Sequence, residues 1–115
     1  MFTVRKFGNS IIINTRNTNR INVFNIHQLR KQFILALQTP CDYIILNLEL
    51  IGFMDSASFK VIDEMVQIAE THHVSFAFAN LNTDLQEIFE LVPNAANYTI
   101  EENFSSFTKP EKVYF

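Results

Sequence analysis

The residues best able to carry chemistry in this chain lie at one predicted junction between a strand and a helix. Residues 43–48 form a short run rich in Ile and Leu, which is typical of a strand buried on both faces. Gly52 interrupts that pattern, and Asp55 and Ser56 stand where a helix should begin. Both residue types are good helix N-caps, because a side-chain oxygen can accept a hydrogen bond from a free backbone N–H. The residue types at this junction therefore predict a helix N-cap.

The remaining reactive residue types form no recognisable catalytic or metal-binding set. His72 and His73 are adjacent, so on a helix they point apart, and no Asp, Glu or Cys stands nearby at ligand spacing. Cys41 has no second cysteine to pair with and no neighbouring base to activate its thiol. The sequence also contains no Gly-rich phosphate loop and no supported Ser-His-Asp or Cys-His set. We therefore expect a protein that is not an enzyme and that binds no cofactor or metal.

Composition favours one folded domain. The chain has 115 residues, of which 48% are hydrophobic and 18% charged, so it can bury a real core. The net charge of −3 argues against a nucleic-acid surface, which needs clustered Lys and Arg. No apolar run approaches the roughly 18 residues of a membrane span, and the first residues do not resemble a signal segment. We expect a single cytoplasmic domain over residues 1–115, with 108–115 as a C-terminal tail.

Strand and helix patterns alternate along most of the chain. Strands are predicted at residues 2–7, 10–14, 43–48, 74–79 and 98–100. The first two flank a Gly-Asn turn and predict a hairpin. Helical patterns lie between the later strands, and strands that alternate with helices imply parallel crossovers. The sequence therefore predicts an α/β fold with a mixed sheet of about five strands.

Each predicted helix has a starting signal. Asn25 has a Gln three residues later, as in a capping box, and Phe24 and Leu29 are spaced to form a hydrophobic staple across the start of that helix. Thr83 repeats the capping-box pattern before the third helix. These patterns predict helices that begin after Asn25, at Ser56 and near Thr83.

The helix that begins at Ser56 and runs to Thr71 carries a wide apolar surface. Its apolar residues form two neighbouring stripes, Phe59, Ile62, Val66 and Ala69 in the first and Val61, Met65 and Ile68 in the second. Together they cover roughly half of the circumference, which exceeds the ~100° needed to seat a helix on a core. Either the whole surface is buried, or the edge at Val61 and Ile68 stays exposed and contacts a partner.

The order of elements and three motifs resemble the STAS domains of bacterial anti-sigma factor antagonists. The motifs are Ile-Ile-Leu-Asn-Leu at 44–48, Phe-Met-Asp-Ser at 53–56 and Leu-Gln-Glu-Ile-Phe-Glu-Leu at 85–91, and the resemblance covers about residues 2–107. It implies a STAS-like single domain whose helices pack mainly on one face of the sheet. It also implies that Ser56 is a phosphorylation site, with Ser58 as the less favoured position.

The resemblance further implies a partner-binding surface around this junction, which would comprise Asn22, Asp55, Ser56, Ser58, Phe59, Val61 and Met65. The implied partners are an anti-sigma factor that is also a serine kinase, with an ATPase domain of the histidine-kinase-like type, and a serine phosphatase. A homodimer is left open, because the Phe-rich composition leaves room for an apolar dimer surface. Neither nucleic acid nor membrane is expected as a partner.

The chain departs from the family pattern directly after Ser56. Ala57 and Ser58 stand where a second Ser or Thr and a Gly are usual, and Phe59 and Lys60 replace Leu and a small residue. A glycine lets another backbone approach closely, and we expect Ser58 to add a side chain to that surface. A STAS-like interaction or scaffold module without phosphate control is therefore the alternative function.

Phosphorylation at Ser56 could act as a switch without refolding the domain. A phosphate adds about −1.5 to −2 charge, which the N–H groups and dipole of a helix N-terminus tolerate. An acidic partner surface would be repelled by the same charge. Capping alone would also account for Asp55 and Ser56, so the hypothesis depends on an exposed Ser56 hydroxyl.

Overall fold

A computed structural model describes residues 1–101 of the chain. In chain order its elements are β1 (Phe2–Phe7), β2 (Ser10–Thr15), β3 (Arg20–Ile21), α1 (Ile26–Leu37), β4 (Tyr43–Asn47), β5 (Phe53–Met54), α2 (Ser56–Thr71), β6 (Ser75–Ala79), α3 (Thr83–Glu90), a 3₁₀ turn (Ala95–Asn97) and β7 (Thr99–Glu101). Within these residues, none of the helices combines the length and the apolar character needed to cross a bilayer. The predicted tail at 108–115 lies outside the described residues.

Within residues 1–101 the main sheet has five strands in the order β1-β2-β4-β6-β7. β1 and β2 pair antiparallel around Gly8, whose φ of +59° suits glycine in a tight turn. The pairs β2–β4, β4–β6 and β6–β7 are parallel, and their connections contain α1, α2 and α3, respectively. The predicted hairpin and mixed sheet are therefore confirmed.

The three helices of the described residues pack on one face of this sheet. Alternate residues along a strand point to opposite faces, so Ile11 and Ile44 join the buried cluster that contains residues of α1, α2 and α3. Ile12 and Ile45 belong to a separate cluster that, within residues 1–101, contains no helix residue. Phenylalanine rings connect the helices to the sheet. Phe33 of α1 contacts Phe76 of β6, with ring centroids 4.8 Å apart, and Phe76 contacts Phe78 at 4.9 Å. Phe89 of α3 contacts Phe78 at 5.7 Å and Phe59 of α2 at 5.3 Å. This core fixes α2 against the sheet and thereby fixes the position of its first turn.

A second sheet, formed by β3 and β5, was not predicted from the sequence. Arg20 pairs with Phe53 and Ile21 pairs with Met54, in parallel register. Ile21 and Met54 are buried, whereas Arg20 and Phe53 are exposed. The two-residue strands are too short to show a hydrophobic period, and their pairing joins segments far apart in sequence. This small sheet holds the loop after β2 against the start of α2.

The first helix begins differently from the prediction. Asn25 precedes α1, but its side chain makes no capping hydrogen bond. Its Oδ1 instead accepts from the Asn22 N–H at 2.9 Å, and its Nδ2 donates to the Arg20 carbonyl at 2.9 Å. The expected staple is wrong, because Leu29 is buried while Phe24 is almost fully exposed. The Asn25 side chain closes the preceding turn, so that turn directs Phe24 away from the core.

The other two helix starts differ in how well the sequence predicts them. Asp55 is the N-cap of α2, as predicted, and its side chain accepts from the Ser58 N–H. The capping box at Thr83 is misplaced by one residue, since Asn82 is the N-cap of α3 and accepts from the Leu85 N–H at 2.8 Å. Asn is among the strongest N-cap residues and outranks the adjacent Thr.

Candidate functional site

Ser56 is the first residue of α2, and its side chain is exposed. β5 ends two residues earlier, and the pairing of β5 with β3 holds this chain segment at the protein surface. The cap residue Asp55 has an extended backbone, with φ −86° and ψ 168°, which turns the chain from strand into helix. The structure therefore presents a primary hydroxyl to solvent at the N-terminus of a long, well-packed helix.

The Asp55 carboxylate joins two parts of this junction through three hydrogen bonds. Its Oδ1 accepts from the Ser58 N–H at 2.8 Å and from the Ser58 hydroxyl at 2.6 Å. Its Oδ2 accepts from the Val23 N–H at 3.0 Å, in the loop between β3 and α1. One side chain thus caps α2 and also holds the 22–25 loop beside Ser56.

Two opposing effects act on the pKa of Asp55. Burial acts to raise it, whereas hydrogen bonds from the Ser58 hydroxyl, the Ser58 N–H and the Val23 N–H lower it, and the net pKa is below the ordinary value. A carboxyl whose pKa is lower in the folded than in the unfolded protein stabilises the fold above its unfolded pKa. That contribution is lost as the pH falls below about 4 and through the folded pKa.

Replacing Asp55 by alanine is expected to lower the free energy of unfolding at pH 7 by about 1–2 kcal/mol, because an N-cap is lost and the Val23 N–H loses its acceptor. The variant should also lose less stability than the parent between pH 5 and about pH 3. Urea unfolding followed by circular dichroism at both pH values measures this. Asp42→Ala, at an exposed aspartate in the loop before β4, is the matched control. Equal losses for the two variants at pH 7 would contradict the assigned role of Asp55.

Three residues of the expected partner surface are buried in the structure. Ser58 is completely buried, and its hydroxyl is directed at Asp55 rather than at solvent. Phe59 and Met65 are also buried, because these positions of α2 face the sheet. The structure therefore places Ser58, Phe59 and Met65 inside the protein rather than on the surface where they were expected to contact a partner, and it encloses the Ser58 hydroxyl beside Asp55.

The other expected residues lie at or near the surface. Asn22 is half-buried, and its Oδ1 accepts from the Phe24 N–H at 2.9 Å. The hydrogen bond between Val23 and Asp55 places this loop directly beside the start of α2. Val61 is half-buried against the core, more than one turn beyond Ser56. Asn22, Asp55 and Ser56 therefore share one surface, with Val61 further along the helix.

A known protein family matches this chain. A family model described as the STAS domain matches residues 4–106, which is nearly the whole chain. This chain belongs to the STAS domain family. No curated protein gives a significant match to the sequence.

Solved structures agree with the fold of this STAS domain. The anti-sigma factor antagonist SpoIIAA in its unphosphorylated form is 15% identical, with a TM-score of 0.72 over 97% of each chain. The Bacillus cell fate determinant SpoIIAA in the phosphorylated form is 16% identical, with a TM-score of 0.65 over 98% of this chain and 99% of that chain. An anti-sigma-factor antagonist (STAS) domain protein from Planctomyces limnophilus is 16% identical, with a TM-score of 0.76 over 98% of this chain and 94% of that chain. These similarities show a shared fold.

Three exposed apolar residues of this STAS domain were not predicted from the sequence. Val23, Phe24 and Phe53 are exposed, although Phe24 was expected to form a staple and Phe53 was considered only as part of the Phe-Met-Asp-Ser motif. The sequence gives a partial indication of this exposure, because Val23 and Phe24 stand between two asparagines and fit no helical or strand period. Their exposure depends on the turn at 22–25 and on the β3–β5 pairing, which the sequence pattern does not reveal.

Proposed function

We propose that this STAS domain is an anti-sigma factor antagonist-like regulator that switches partners according to phosphorylation at Ser56. The observation that supports it is the contrast between two neighbouring serines. The Ser56 side chain is exposed at the first position of α2, whereas Ser58 is buried and bonded to Asp55. Ser56 therefore has the access that a kinase and a phosphatase need, within a junction that is otherwise held in place.

A phosphate at Ser56 would change the surface and leave the fold intact. At a helix N-terminus the free N–H groups and the helix dipole favour negative charge. Asp55 already caps the helix through Ser58 and holds the adjacent loop through Val23, so the added group replaces none of these contacts. The modification is thus suited to control docking rather than folding.

The proposed partner is an anti-sigma factor in the cytoplasm that is also a serine kinase, with an ATPase domain of the histidine-kinase-like type. The unmodified chain binds it, the kinase adds phosphate to Ser56, and a serine phosphatase restores the binding form. Like charges brought together at an interface cost several kcal/mol, which corresponds to a hundredfold or larger change in affinity. Structural similarity to anti-sigma factor antagonists supports this choice of partner.

Incubation with such an anti-sigma factor kinase and ATP tests the proposal. We expect intact-mass spectrometry to show the addition of one phosphate, and peptide mapping to place it on Ser56. Ser56→Ala should remain unmodified, whereas Ser75→Ala, which removes an exposed serine at the start of β6, should be modified like the parent. A phosphate mapped to another residue, or unchanged labelling of Ser56→Ala, would overturn the proposal.

The alternative is a STAS interaction or scaffold module without phosphate control. The departures from the family pattern at Ala57, Ser58 and Phe59 motivate it, and among them Ser58 was expected to add a side chain to the partner surface. That expectation is wrong, because Ser58 is buried and its hydroxyl points to Asp55. The structure thus removes one reason for the alternative, and the kinase experiment separates the two functions directly.

A further inference from the structure

Three large apolar side chains lie exposed next to Ser56. Val23 is 50% exposed, Phe24 89% and Phe53 47%. We call these three residues the Phe24 patch. The Val23 N–H is bonded to Asp55, and Phe53 stands two residues before Asp55 in β5, so the patch adjoins the start of α2. Single exposed apolar residues are common, but a cluster of them typically marks an interaction site.

The position of Phe24 is fixed by its own loop. The Asn22 side chain accepts from the Phe24 N–H, and the Asn25 side chain bonds both the Asn22 N–H and the Arg20 carbonyl. On the core side of this loop, Ile26 fills the position at the start of α1 and is almost completely buried. Phe24 is therefore held outward by a loop that is already ordered. An aromatic anchor presented in this way binds at low entropic cost and is typical of interface hot spots.

Basic side chains adjoin the patch. Arg20 pairs with Phe53 in the small sheet, so both side chains point to the same outward face. Lys60 is exposed one helical turn after Ser56 on α2, at the i+4 spacing that brings side chains together. Asp55 is the adjacent acidic residue, and its carboxylate accepts three hydrogen bonds within the junction. The two basic side chains outnumber this carboxylate, so a docking protein meets more positive than negative charge among these three residues.

We propose, resting on the function proposed above, that the anti-sigma factor receives Phe24 in an apolar pocket whose rim is acidic and pairs with Arg20 and Lys60. A phosphate at Ser56 then acts in two ways. It repels the acidic rim directly, and it competes for Lys60 through an i,i+4 ion pair on α2. Because the rim is acidic, the added charge opposes docking at the point of contact.

Binding of the unphosphorylated chain to the anti-sigma factor kinase, measured by calorimetry, tests this inference. We expect Phe24→Ala to weaken binding at least about tenfold, as for a hot-spot residue, with no change in thermal stability. Leu91→Ala is the matched control, because Leu91 is 84% exposed at the end of α3. Charge reversal by Lys60→Glu should weaken binding strongly at low salt and less at high salt, whereas Lys31→Glu on α1 should not.

The outcomes separate this inference from the proposed function. If Ser56→Asp weakens binding but Phe24→Ala and Lys60→Glu bind like the parent, the switch stands and the proposed pocket is overturned. If Ser56→Asp binds like the parent, the proposed function fails, whatever Phe24→Ala does. If sedimentation shows a dimer of the parent that Phe24→Ala dissociates, the patch serves self-association, and the proposed partner pocket is again overturned.

Discussion

Ser58→Asp is expected to lower the free energy of unfolding by about 4 kcal/mol or more, whereas Ser56→Asp should leave it within about 0.5 kcal/mol of the parent. Ser58 is fully buried with its hydroxyl 2.6 Å from the Asp55 carboxylate, so an aspartate there places a second negative charge in a confined site without a basic partner. Ser56 is exposed at the first position of α2, where an acidic residue is favoured by the helix dipole. Urea unfolding followed by circular dichroism measures both variants.

Ser58→Ala is the control for this comparison. It removes the hydroxyl that donates to Asp55 but adds no charge, so a loss of about 1 kcal/mol is expected. Similar stabilities for Ser58→Asp and Ser56→Asp would show that position 58 is open to solvent. In that case the distinction between the two serines, on which the phosphorylation site rests, would be lost.

Ser56→Asp is expected to lower the affinity for the anti-sigma factor at least about tenfold, whereas Ser56→Ala retains the parent affinity. The aspartate brings one negative charge to the docking surface, while alanine removes only the hydroxyl. Calorimetric titration of each variant with the same preparation of anti-sigma factor gives the affinities.

Ser75→Asp controls for the general effect of an added charge. Ser75 is exposed at the amino end of β6, just beyond the last turn of α2, whereas Ser56 begins that 16-residue helix. The two serines therefore lie towards opposite ends of α2, and the charge at Ser75 lies outside the proposed docking surface. We expect this variant to bind like the parent. An equal loss of affinity in Ser75→Asp and Ser56→Asp would mean that net charge, not the position of the phosphate, controls binding.

Sequence patterns predicted the elements that depend on residues close together in the chain. The Gly8 turn specified the hairpin, and the helical period that follows Asp55 specified α2 over Ser56–Thr71. The pairing of β3 with β5 escaped prediction because it joins two-residue segments and has no periodicity of its own. The start of α1 was wrong because Asn25 bonds the preceding turn instead of capping the helix.

The sequence motif located the candidate site. Which of its residues are buried and which are exposed became clear only from the structure. Ser58 shares the spacing of Ile62, Met65 and Ala69, which all face the core, so a helical projection would have placed it inward. Its polar character and the family pattern favoured the surface instead. The exposure of Phe24 depends on a turn closed by side-chain hydrogen bonds, which no sequence period encodes.

The affinity of one preparation for the anti-sigma factor, before and after phosphorylation, tests the central claim most directly. The protein is phosphorylated to completion at Ser56, titrated by calorimetry, then treated with a serine phosphatase and titrated again. We predict binding at least about a hundredfold weaker with the phosphate present, restored fully by its removal, with unchanged thermal stability throughout. Equal affinities for the two forms, with phosphate verified on Ser56, would contradict the account.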